Sequence, residues 1–242
     1  MTKNVWWPRV CWIDTLDSAI SVCQELAQHS VVAFDMEGAH LGQDTACVSL
    51  IQLATSVDCV YIFDVMALGA SLFSKHMLGS LLENDHVVKL CYDCRCDAHA
   101  LELLYDLHPR NFYDLQIVYT CLFQSKSDPY LKGLHKALAV PGIILRGRTR
   151  VLRCKQQTKA CGNLPERMMA RPLAPHTLKY CALDVAHLFS MYLQWGPLLD
   201  HHVMLDKTHG RIQLFLQYRD RFASRMSSLD FSPCVIGEVD VS

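Results

Sequence analysis

Apolar residues recur along this chain with two different periods, and the order of those periods predicts an architecture. From Asp14 to His29 they fall at Leu16, Ile20, Cys23 and Leu26–Ala27, the spacing of a helix with one buried stripe and with Asp14 or Thr15 as its cap. Three strand-like runs follow: Val31–Glu37, Val48–Ala54 and Val60–Val65. Gly38, Gly42 and Asp44 punctuate the first connection and Ser56–Asp58 forms the second, so the triplet reads as an antiparallel meander. Ser71–Leu82 carries a helical period, Val87–Tyr92 reads as a further strand, and Arg95–Leu107 as a helix with Leu101 and Leu104 inward. Helical periods return over Asp114–Phe123, Leu131–Ala139 and His176–Gln194, and a last one runs from Asp206 to Arg225. Between Arg146 and Arg171 the pattern breaks down, which reads as a long loop.

Strands first, then strands alternating with helices, predict an α/β fold: a mixed β-sheet flanked by helices on both faces. On this reading residues 1–205 form one domain, 206–227 a helix packed on it or extending it, and 228–242 a flexible tail.

Composition narrows the class. A domain of 242 residues buries roughly 70–75% of its unfolded surface, so it needs no covalent staples. Apolar residues make up 51% and charged ones 19%, as in soluble globular proteins. No apolar run approaches the ~20 residues of a membrane span. Met1–Arg9 lacks the apolar core and cleavage site of a secretory leader, so the expected location is intracellular, cytoplasmic or nuclear. The twelve cysteines sit mostly within apolar runs and are read as reduced thiols.

Three separated clusters carry the candidate chemistry: Phe34-Asp35-Met36-Glu37-Gly38, Tyr92-Asp93-Cys94-Arg95-Cys96-Asp97 and Tyr180-Cys181-Ala182-Leu183-Asp184. Side chains two apart on a strand share a face, so Asp35 and Glu37 project together while Phe34 and Met36 point into the opposite layer. Two carboxylates that close repel unless a cation neutralises them, and hard oxygen ligands suit Mg²⁺ or Mn²⁺. The competing reading is a solvent-facing pair on an edge strand, which the apolar run Val31–Phe34 disfavours. Tyr180 and Asp184 lie four apart, on one face of a helix, either as ligand and hydroxyl partner or as a surface acid beside a core tyrosine. Asp97 falls in the first turn of a helix after a strand end, where it reaches the top of a sheet. In the same segment Cys91, Cys94, Cys96 and His99 offer a rival zinc reading, although no second Cys/His pair stands at zinc-site distance.

Together these residues resemble the DEDDy branch of the DEDD 3′–5′ exonucleases, the ribonuclease D-like superfamily, from Trp12 to Leu193. Asp35-Met36-Glu37 matches the first motif, Asp97 the second and Tyr180-x-x-x-Asp184 the third. Val48–Ala54, Asp114-Leu115-Gln116 and Arg171-Pro172-Leu173 resemble the supporting segments. Glu37-Gly38 and Asp93-Cys94-Arg95-Cys96-Asp97 most resemble the subgroup named for its 3′–5′ exonuclease domain, which includes a piRNA-pathway protein and Egalitarian-like RNA-binding proteins. Tyr92 stands where many relatives have His, and Met168 where they often have Trp.

The resemblance implies a ribonuclease H-like sheet and a two-metal 3′–5′ exonuclease. Asp35, Glu37, Asp97 and Asp184 would hold two Mg²⁺ or Mn²⁺ ions, with Tyr180 orienting water. The substrate would be single-stranded nucleic acid with a free 3′ end, RNA slightly favoured over DNA, released as nucleoside 5′-monophosphates. Because some members have lost their acids, a non-catalytic RNA-binding adaptor is the alternative. Protein partners in an RNA-processing complex fit either.

The segment Arg146–Arg171 holds eight basic residues and one acid, Glu166, in a chain of net charge −1. Arg146, Arg148, Arg150, Arg153, Lys155 and Arg171 are therefore the candidate phosphate contacts, the alternative being a solvated or partner-docking loop. Phe123, Tyr130 and Trp195 are read as core before stacking residues, and His135 and His187 as partly buried with their hydrogen bonds satisfied.

Overall fold

The computed structural model describes residues 6–125, 127–160, 162 and 164–226. Strands β1 (Arg9–Ile13), β2 (Val31–Ala39), β3 (Cys47–Ser56), β4 (Cys59–Asp64), β5 (Val88–Cys91) and β6 (Phe112–Asp114) form one sheet in the order β1-β4-β3-β2-β5-β6. The pairs β2–β3 and β3–β4 are antiparallel, and β1–β4, β2–β5 and β5–β6 are parallel. The sheet is thus mixed, with the predicted meander at its centre.

Helices α1 (Leu16–Leu26), α2 (Val65–Leu68), α3 (Leu78–Leu82), α4 (Arg95–Tyr105) and α5 (Leu115–Phe123) punctuate the strands. Then come α6 (Leu134–Leu138), α7 (Arg148–Ala160), α8 (Leu164–Met169), α9 (Pro175–Trp195) and α10 (His201–Met226). Of the two candidate caps for α1, Thr15 accepts from Ser18 N. Asp64 and Asp114 cap α2 and α5 in the same way.

Strand alternation divides the core. Phe34, Met36, Ile51, Leu53 and Phe63 bury one face of the sheet among Leu26, Leu81 and Leu101. Ala33, Leu50, Ile62 and Leu90 bury the other among Leu183, Leu188 and Met191 of α9. Asp35 and Glu37 belong to this second face by register. β2 bulges between Glu37 and Gly38, where a Cβ on Gly38 would stand 2.0 Å from the Cys47 carbonyl oxygen. Only glycine permits that approach.

Several expectations need correction. Arg146–Arg171 is not a long loop: it holds α7 and α8. Among the described side chains of α7 the buried ones are Val151, Lys155 and Thr158, at 1, 5 and 3% exposure. A buried stripe with one apolar member leaves no hydrophobic period to read, although arginine, lysine and glutamine favour helix. The predicted helix over Ser71–Leu82 is a 3₁₀ turn, Ala70–Phe73, followed by the short α3. Helix α6 starts at Leu134, after Gly133, rather than at Leu131. Helix α10 starts at His201 rather than Asp206, with Met204, Thr208, Ile212 and Phe215 buried along it. Leu104 faces outward at 38% exposure, as do Phe123 and Tyr130, whereas Trp195 is core. Strands β1 and β6 are additions to the predicted elements. The tail expected after Ser228 lies outside the described residues.

Candidate metal centre and cleft

β2 presents Asp35 and Glu37 from its centre, and α9 crosses the same sheet face with Asp184 one turn beyond Tyr180. One carboxylate oxygen from each of Asp35, Glu37 and Asp184 lies within 4.8 Å of the others. Asp97 is buried in the first turn of α4 and is not one of these three, but the charges of Asp35 and Glu37 both act on it.

Electrostatics follow from that crowding. Burial, opposed by Lys155, raises the Asp35 carboxyl to about 6. Burial and then the Asp35 charge raise Glu37 to about 8. Burial, with Asp35 next, pushes Asp97 well above the carboxylate range. Asp184 Oδ2 is buried with no hydrogen-bond partner. Gln52, opposite Asp35 in the β2–β3 register, is fully buried with neither amide atom bonded. An all-oxygen, like-charged donor set with an unsatisfied carboxylate oxygen fits a hard divalent cation.

The cation that the structure does place there is Lys155. Its side chain reaches from α7 to an ion pair with Asp184, and Nζ lies 4.3 Å from the centre of the Tyr180 ring. Burial lowers this ammonium to about 8, against the pull of Asp35 and Glu37. Burial and then the charges of Glu37 and Asp35 push the Tyr180 phenol above its ordinary range.

The carboxylates open into a cleft of about 230 Å³ walled by Tyr92, Asp93, Gln116, Gly133, Leu134 and Leu188. The Tyr92 hydroxyl donates to the Lys132 carbonyl at 2.7 Å, and Gln116 Nε2 to the same oxygen at 3.2 Å. Tyr92 therefore fixes one wall. Asp93 takes a left-handed backbone, φ 64°, at the strand-to-helix turn and pairs with Arg95 and Arg211. Arg211 also binds the buried Asp114 at 2.8 Å and Gln116 Oε1. Sequence reasoning missed this clamp, because Arg211 lies 118 positions from Asp93 and no local motif marks it.

The candidate phosphate contacts separate into two sets. Arg153 is exposed on α7, Arg150 lies over the Trp7 ring at 5.8 Å, and Arg146 is exposed while paired with Asp58. Arg148 turns back onto the carbonyls of Ala139 and Val140, and Lys155 is in the carboxylate cluster. Arg171 instead locks the fold: its guanidinium makes two 2.7 Å bonds to the Asp64 carboxylate and bonds Ser49 and the Met168 carbonyl. Met168 is fully buried, and its carbonyl also accepts from Ser49 Oγ.

His187 differs from its sequence reading. It is fully buried with neither ring nitrogen bonded, 5.1 Å from Trp6, and burial lowers it to about 4. The zinc reading finds no support. Among the described residues only Asp35, Glu37 and Asp184 gather three such ligand atoms, while Cys96 packs toward Gly42 and His99 faces Asp44. The described cysteines are free thiols. No helix among the described residues is long and apolar enough to cross a membrane.

A family model described as 3′–5′ exonuclease matches residues 10–200. The piRNA biogenesis protein EXD1 of Danio rerio is 31% identical over 174 residues, covering 68% of this chain and 44% of that protein. Its namesake in Mus musculus is 28% identical over 207 residues, covering 85% and 35%. The chain thus spans less than half the length of these relatives. RNase D of Trypanosoma brucei, solved as a GMP complex, superposes with a TM-score of 0.68 at 26% identity, over 96% of this chain and 68% of that one.

Proposed function

Because this chain belongs to the 3′–5′ exonuclease family, in its ribonuclease D-like superfamily, we propose that it is a two-metal 3′–5′ exonuclease. It would shorten single-stranded nucleic acid from a free 3′ end to nucleoside 5′-monophosphates. The observation that carries this reading is the convergence of the Asp35, Glu37 and Asp184 carboxylates within 4.8 Å, next to Tyr180 and at the end of a cleft.

Asp35, Glu37 and Asp184 would hold one Mg²⁺ or Mn²⁺ ion, and Asp35 with Asp97 the other. The bound ions supply Lewis acidity toward the attacking water and the departing 3′ oxygen. The chain does the rest. The Tyr180 hydroxyl, kept protonated by its surroundings, orients the water. Tyr92, Leu134 and Leu188 form the wall for the terminal nucleoside, fixed by the bonds from Tyr92 and Gln116 to Lys132. Arg146, Arg150 and Arg153 supply positive charge for the approaching backbone, with Arg148 nearer the fold. RNA is favoured over DNA because the relatives are named for RNase D and for piRNA biogenesis.

A second reading has its own observation. Lys155 pairs with Asp184 inside the acid cluster, which suits a non-catalytic RNA-binding adaptor. Digestion and binding assays with Asp35→Ala separate the two. The enzyme reading predicts Mg²⁺- or Mn²⁺-dependent loss of RNA that the substitution abolishes. Salt-sensitive RNA binding without cleavage, unchanged by the substitution, would establish the adaptor.

A further inference from the structure

Helix α7 places one cation where the proposed chemistry needs others. Its buried stripe runs Val151, Lys155, Thr158, and Val151 packs with Met168 and Cys181 in the core. The stripe carries Lys155 under the helix and into contact with Asp184 and the face of Tyr180. Lys155 is 5% exposed, and its charge also acts on Asp35 and Glu37. Thus the carboxylates that would hold a divalent ion share a lysine ammonium from a separate element.

Such an arrangement has a physical consequence. A buried ammonium is tolerated only with counter-charges around it, and here those are the three acids. A divalent ion drawn to the same oxygens would meet a like charge at close range. The two cations therefore compete for the same oxygens. Helix α7 lies between Gly147 and Gly162, both with left-handed backbone, φ 65° and 62°. The rest of its exposed face is polar, with Arg153, Gln156 and Gln157 in solvent.

We propose that Lys155 is a resident counter-cation of the Asp35–Glu37–Asp184 cluster, and that metal enters only as α7 withdraws it. The inference rests on the metal-dependent reading above and adds to it a residue that sets the metal requirement. Lys155 then stabilises the metal-free protein and weakens its affinity for divalent ions. Arginine at this position keeps the competing charge; methionine, of similar length, removes it.

The test uses the full chain without substrate. Mn²⁺ is titrated into the wild type, Lys155→Met and Lys155→Arg, and the free ion is followed by electron paramagnetic resonance. Lys155→Met is expected to bind Mn²⁺ at least about tenfold more tightly than the wild type, with Lys155→Arg remaining weak. Hydrogen exchange on the wild type supplies a readout that needs no variant: saturating Mn²⁺ should raise exchange across residues 148–160. Equal or weaker Mn²⁺ binding by Lys155→Met would overturn the inference and leave the metal-dependent reading standing. Unchanged protection of α7 in the Mn²⁺-bound wild type would do the same, even if the methionine variant fails to fold. Absence of Mn²⁺ binding in all three proteins would remove the metal-dependent reading and this inference together.

Discussion

Asp35 and Glu37 are held two residues apart on one strand face, and without a divalent ion their proximity opposes folding. Glu37 shows this best, because burial and the Asp35 charge raise its carboxyl to about 8 from an ordinary 4.5. A raised carboxyl favours the folded state while it is protonated. Its contribution is full below pH 4.5 and is lost as pH rises toward 8. Glu37→Gln keeps the shape and removes the charge. In chelator, the variant should therefore melt several degrees above the wild type at pH 8, with the gap closing toward pH 4.5. A gap that is constant with pH, measured by thermal scans, would contradict this origin. That both side chains share one face was legible in the sequence, because the strand period alone puts them there. Lys155 was legible only as positive charge. Its contact with Asp184, 29 positions away, depends on a helix that no apolar pattern marks.

At the level of elements, the cleft depends on α10. Through Arg211 that helix ties together Asp93 at the start of α4, Asp114 at the end of β6 and Gln116 in α5. Asp114 is 1% exposed and would be left buried beside Asp93 without its cation. Arg211→Met should destabilise the domain by about 3 kcal/mol, the usual effect of stranding one member of a buried pair. Equilibrium denaturation checks this, and a change within ~0.5 kcal/mol, typical of a surface position, would mean the clamp is not structural. The central meander and α9 could be read in advance because apolar residues occupy whole faces of them. β1 and β6 could not, because their pairing is settled by other strands rather than by a local pattern. α7 was hidden by the polar members of its own buried stripe. In each case the missing information was tertiary: what the segment packs against.

Across the whole molecule, the order of the sheet brings the middle of β2, the middle of α9 and the turn after β5 together, so acids far apart in the chain gather in one place. Charge is distributed to match. A chain of net charge −1 concentrates eight basic residues in Arg146–Arg171, beside a cluster of carboxylates. Part of that charge holds the structure, as in Arg171 and Lys155, and part faces solvent on α7. On the proposed reading that surface attracts a polyanion, and divalent ions at the acids let its 3′ end approach. The most direct test is digestion of single-stranded RNA labelled at either end, with Mn²⁺ present. The account predicts that 3′-labelled RNA releases its label at once as a nucleoside 5′-monophosphate, while 5′-labelled RNA shortens gradually as a ladder. Internal fragments appearing first, immediate release from the 5′ end, or intact RNA at saturating Mn²⁺ would contradict it.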